Sequence, residues 1–121
     1  MLLLVVDDDL EGAELLSSFL EDQGHNAIKA YTAQECLELF ASKKPEAVFL
    51  DIMLPDKNGI EVLKKIKKMN GEIPVIMVTG FKDAENIVSA FREGAFDCLL
   101  KPYNYEYLKS DILPRIPLQK Q

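Results

Sequence analysis

The sequence predicts an α/β fold, a parallel sheet of five strands with helices packed on both faces. Short apolar runs alternate with stretches of helical spacing along the whole chain. The runs lack the in-out alternation of a half-exposed sheet, as expected of strands buried on both sides. Several end abruptly in a polar residue, twice an aspartate.

Leu2 to Val6 is the first apolar run, ended by Asp7, Asp8 and Asp9. From Leu10 the spacing turns helical, with Leu10, Ala13, Leu16 and Leu20 on one stripe, Asp9 as candidate N-cap and Gly24 as stop signal. Ala27 to Tyr31 reads as the second strand. Thr32 and Glu35 have the spacing of a capping box, opening a helix that ends near Lys44, and Pro45 closes the unit. Ala47 to Leu50 is the third strand, ended by Asp51 and followed by a loop with Pro55 and Gly59, both glycines at 59 and 80 reading as turn residues. The next helix turns Ile60, Leu63 and Ile66 inward and Lys64, Lys65, Lys67 and Lys68 to water. Ile73 to Val78 is the fourth strand, ended by Thr79 and Gly80, and Asp83 to Glu93 the fourth helix, stopped by Gly94. Cys98 to Leu100 is a short fifth strand running into Lys101 and Pro102. The last helix starts near Asn104 and is brief, because Pro114 lacks an N–H and its ring clashes with the preceding turn.

The 121 residues, 48% of them hydrophobic, suit a single domain spanning 1–121, and no repeat or internal linker interrupts them. Twenty acidic against 14 basic residues give a net charge of −6, which argues against a nucleic-acid surface. Met1 to Val6 is too short to span a bilayer and lacks the flanks of a signal peptide, so no membrane contact is expected. A first strand beginning at residue 2 fits an N-terminal or stand-alone domain. Cys36 and Cys98 form no close pair and read as small buried hydrophobes in a reducing, cytoplasmic setting. His25, after Gly24, reads as a solvated connector.

In a doubly wound sheet, right-handed crossovers bring ligands beyond the carboxyl ends of the strands. Those ends carry Asp7 and Asp8, Asp51, Thr79 and Lys101. Three carboxylates in one crevice repel one another unless a cation is present, and acids without His or Cys select a hard cation such as Mg²⁺. Three negative charges set against Mg²⁺ and one lysine leave the site near neutral, the condition under which an aspartate can approach an anionic phosphoryl group. Asp9 reads as a cap rather than a ligand.

The chain resembles the receiver domain of two-component response regulators over nearly its whole length. The resemblance rests on Val5, Val6, Asp7 and Asp8; Leu50, Asp51, Ile52, Met53, Leu54, Pro55 and Gly59; Val78, Thr79 and Gly80; and Gly94, Ala95, Lys101 and Pro102. It implies a flavodoxin-like (βα)5 sandwich of strand order 2-1-3-4-5. It also implies a phosphoacceptor, Asp51, that is not an enzyme in the ordinary sense but promotes its own phosphorylation and dephosphorylation. Asp7, Asp8, Asp51 and the backbone carbonyl of Met53 are implied as Mg²⁺ ligands, Thr79 as switch hydroxyl, Lys101 as phosphate partner, and the Lys101–Pro102 bond as cis. The implied donor is a phosphohistidine on a sensor histidine kinase or a histidine phosphotransfer protein. The implied output surface, which also serves for homodimers, is the fourth helix, fifth strand and fifth helix. Met53 and Phe81, bulky and apolar, predict slow loss of the phosphoryl group.

Two departures stand out. Cys98 occupies the position where the family usually carries an aromatic switch ring, which leaves Phe96, Tyr103 or Phe91 to substitute. The short last helix is expected to expose Ile87, Phe91 or Ile112. Other functions fit less well. A haloacid-dehalogenase-type phosphatase needs an acid where Met53 stands, and flavin or dinucleotide binders need a Gly- or hydroxyl-rich loop where three aspartates stand. The remaining alternative is a degenerate receiver that serves as a docking module without phosphorylation.

Overall fold

The computed structural model describes residues 1–80 and 84–116. Its elements are β1 (Leu2–Val6), α1 (Leu10–Asp22), β2 (Asn26–Ala30), α2 (Ala33–Lys43), β3 (Ala47–Asp51), α3 (Gly59–Met69), β4 (Val75–Thr79), α4 (Ala84–Arg92), β5 (Asp97–Leu100) and α5 (Tyr105–Tyr107). All strand pairs are parallel and the order is β2-β1-β3-β4-β5, the order implied by the resemblance. Strand bounds differ from the sequence reading by one or two residues, because hydrogen-bond register rather than apolarity sets them. Ile73, for example, is buried in the loop before β4. Phe81, Lys82, Asp83 and Pro117 lie outside the described residues.

Alternate strand residues feed two cores. Leu4, Val6, Val48, Leu50, Val75 and Met77 pack under α2, α3 and Ala90 of α4. Leu3, Val5, Phe49, Ile76 and Val78 pack under α1 and the C-terminal helical segment. Both faces are covered, so the strands read as continuous apolar runs.

Several local readings change. Leu10 is exposed rather than part of the buried α1 stripe, since the first helical residue stands beyond the strand end and only Ala13, Leu16 and Leu20 lie on the sheet. Asp9 occupies the N-cap position, but its side chain makes no capping bond among the described residues. Lys67 is not a solvated lysine: it donates to the Ile73 carbonyl at 2.6 Å and tethers the loop entering β4, with burial lowering its pKa. Gly59 is not a turn glycine of positive φ; a Cβ there would stand 2.2 Å from the Asp51 carbonyl oxygen, so close approach of two backbones excludes a side chain.

The C-terminal segment differs most. After α5 the coil widens to a π-helix over Leu108–Ile112 and tightens to a 3₁₀ turn over Leu113–Arg115. α5 is brief, as expected, but helical turns continue through Pro114, which stands in the first turn of the 3₁₀ segment, where a missing N–H is tolerated. Ile112, one turn beyond Leu108 in the same core, is fully buried rather than exposed, while Phe91 is exposed as expected and Ile87 half-buried. Asp97 holds this segment, accepting from Tyr107 Oη and Arg115 at 2.7 Å each. Cys36 is fully buried and Cys98 half-buried, their thiols pushed up by burial to about 12 and about 11.

Candidate functional site

The strand register brings the carboxyl ends of β1, β3, β4 and β5 together, Val6 opposite Leu50, Asp51 opposite Val78 and Thr79 opposite Leu100. The polar residues that end these runs therefore share one rim. Ligand oxygens of Asp7, Asp8 and Asp51 all lie within 4.8 Å of one another. Asp7 and Asp51 are buried and Asp8 is exposed at the mouth.

Lys101 reaches across from the end of β5. Its Nζ stands 2.9 Å from Asp51 Oδ2 and 3.0 Å from Asp7 Oδ2. The bond to Asp51 is well aligned. That to Asp7 is an ion pair without hydrogen-bond alignment, so Asp7 Oδ2 is a buried oxygen with no hydrogen-bond donor among the described residues. The other Asp7 oxygen accepts from the Asp9 N–H at 3.0 Å. The bend into cis at Lys101–Pro102 lies next to this reach.

Asp51 is held from two sides. Burial pushes its pKa up to about 6, against the pull of the Lys101 hydrogen bond and the Met53 N–H, with Asp7 adding to the rise. Burial also opposes the charge on Lys101, but its hydrogen bond to Asp51 and its ion pair with Asp7 outweigh it and hold the lysine above its usual range. The local geometry follows from the β3–α3 loop. The Met53 N–H donates to Asp51 Oδ1 at 2.9 Å, Met53 pairs with Asn58 across the loop, and Gly59 N–H returns to the Ile52 carbonyl at 2.6 Å. Thr79 is buried at the end of β4, its hydroxyl 3.3 Å from the Gly80 carbonyl.

Asp7, Asp8, Asp51 and Lys101 therefore converge, Met53 brings its backbone beside Asp51 while its side chain stays exposed, and Thr79 ends the neighbouring strand β4. Among the described residues, three carboxylates face a single lysine, one buried oxygen lacks an aligned donor, and every available ligand atom is oxygen. That donor set fits a hard divalent cation and suits neither zinc nor copper. Of the rings proposed to stand in for the one missing at Cys98, Tyr103 is half-buried: burial raises its pKa, and Asp7 and Asp51 add to the rise against Lys101. Phe96 lies instead under Arg115, 4.9 Å from the guanidinium. Two contributors escaped the sequence reading. Asp56 makes a long-range cap, for which local periodicity gives no signal, and the tight fit at Gly59 becomes visible only when β3 and α3 meet.

Residues 3–113 match the response regulator receiver domain family. The nitrogen assimilation regulatory protein NtrX of Azorhizobium caulinodans is 37% identical over 108 residues, covering 88% of this chain and 24% of NtrX, so the chain spans about a quarter of that relative's length. Among solved structures, the receiver domain of NtrX from Brucella abortus superposes with a TM-score of 0.84 at 38% identity, covering 88% of this chain and 91% of that one. A two-component response regulator from Clostridium difficile gives a TM-score of 0.92 at 29% identity, covering 100% of this chain and 98% of that one. Sheet order and sequence thus agree along nearly the whole length, and the chain belongs to the response regulator receiver domain family.

Proposed function

We propose that this receiver accepts a phosphoryl group on Asp51 from the phosphohistidine of a sensor histidine kinase or a histidine phosphotransfer protein. The observation that carries the proposal is the bridge of Lys101 between Asp51 and Asp7 inside a cluster of three carboxylates. An Asp51 oxygen forms the P–O bond as the P–N bond of the donor breaks, and the electron pair returns to the imidazole, which is protonated from solvent. Lys101 meets the negative charge on the phosphoryl oxygens, and the Thr79 hydroxyl hydrogen-bonds one of them. The Met53 N–H keeps the Asp51 carboxylate oriented for attack. Asp7, Asp8, Asp51 and the Met53 carbonyl would hold Mg²⁺, which when bound neutralises both the crowded acids and the incoming phosphoryl group.

The output surface we assign to α4, β5 and α5, where Val88, Phe91 and Leu100 are exposed. A partner or a second receiver would be held there, in the cytoplasm. Among the described residues no helix is long and apolar enough to cross a membrane. Met53, bulky and apolar two residues after Asp51, supports slow hydrolysis of the aspartyl phosphate.

The test is labelling by acetyl phosphate in excess Mg²⁺, read by intact mass and on phosphate-affinity gels. One phosphoryl group per chain is expected for the wild type and none for Asp51→Asn. Equal labelling of the two proteins overturns the proposal.

A further inference from the structure

The first turn of α2 presents free N–H groups that its own N-cap only partly satisfies. Thr32 Oγ1 accepts from Glu35 N–H at 3.1 Å, which leaves the N–H groups of Ala33 and Gln34. Both are taken by one carboxylate from another part of the chain: Asp56 Oδ1 accepts from Ala33 at 2.8 Å and Oδ2 from Gln34 at 3.1 Å. These two N–H groups, Ala33 first, hold the Asp56 carboxyl below the usual carboxylate range.

Asp56 belongs to the loop that follows Asp51, three residues beyond Met53. The base of that loop is closed on itself by the Met53–Asn58 pairing and the Gly59 to Ile52 hydrogen bond, and Leu54 packs against the core. Its tip has a different anchor: through Asp56 it is fixed to the positive end of α2. The same short segment supplies the N–H that orients Asp51, and, on the reading proposed above, a carbonyl for the cation.

We infer that Asp56 is a positioning residue of the phosphoacceptor site, which clamps the β3–α3 loop to the N-terminus of α2 and so fixes the Met53 backbone beside Asp51. The role rests on the Mg²⁺ site proposed above. It gives α2 a part in setting metal affinity although α2 contributes no ligand. An exposed carboxylate that merely capped a helix would contribute to stability alone.

The experiment compares Asp56→Ala, Asp56→Asn and Thr32→Ala by calorimetric Mg²⁺ titration, acetyl phosphate labelling rate and thermal unfolding. Thr32→Ala removes the local cap of α2 without touching the loop, so it isolates the stability effect. Asp56→Ala is expected to weaken Mg²⁺ binding about tenfold and slow labelling in step, with Asp56→Asn in between because one acceptor oxygen remains, and Thr32→Ala within about twofold of wild type. Mg²⁺ affinity in Asp56→Ala equal to that of Thr32→Ala would overturn the role of Asp56. Wild-type protein that bound no Mg²⁺ would instead overturn the site reading on which the role rests.

Discussion

The two ends of the sheet use charge in opposite ways. At the amino ends of the strands, polar groups are matched one to one with backbone: Glu46 accepts from Leu2 N–H at 3.2 Å and returns its own N–H to the Leu2 carbonyl at 2.8 Å, while Lys67 donates to the Ile73 carbonyl. At the carboxyl ends, among the described residues, three acids crowd around one lysine and one buried oxygen has no aligned donor. The first arrangement lowers the energy of the fold. The second raises it, and a chain selected for stability alone would have no reason to keep it. On the reading proposed above, the difference marks where a binding demand, rather than folding, has fixed the residues.

The largest expected effect is at the crowded end. Lys101→Ala leaves Asp7 and Asp51 buried without their shared cation, and labelling by acetyl phosphate is expected to fall about 100-fold or more. A variant labelled at the wild-type rate would remove the distinction between the two ends.

A smaller effect reads the frustration directly. The Asp51 pKa is raised from 3.8 to about 6 in the folded chain, so the folded state holds the proton more tightly than the unfolded one. The resulting stabilisation is complete below about pH 4 and is lost as the pH rises through about 6, a fall on the order of 3 kcal/mol in metal-free protein. Chemical denaturation across this range is expected to show that slope in the wild type and a flatter one in Asp51→Asn. A slope of the opposite sign would mean that Lys101 alone sets the titration. Mg²⁺ needs the carboxylate, so its affinity should rise over the same window.

The smallest effect belongs to the other end. Lys67→Met loses its carbonyl partners and is expected to cost about 1–2 kcal/mol in denaturant unfolding, with labelling unchanged. Impaired labelling would show that the two ends are coupled.

The same contrast explains what the sequence made legible. The rim residues were readable because each ends an apolar run, and chain order with parallel pairing leaves those ends nowhere to go but one edge. The two cores were readable for the same reason. What escaped depends on contacts between elements distant in sequence. Lys67 looks like its neighbours Lys64 and Lys68 until the loop before β4 folds over it, and Ile112 looks exposed until the C-terminal segment lays it beside Leu108 on the sheet. Asp56 belongs to this class as well, because its partners lie 22 and 23 residues away.

The most direct test of the crowded rim is a calorimetric titration of Mg²⁺ into the metal-free protein at neutral pH, with Asp8→Asn and Asp51→Asn alongside. A cluster assembled for a cation predicts saturable binding of one ion per chain in the wild type and its loss in both variants. Heats that do not saturate, or the same affinity in all three proteins, would contradict it.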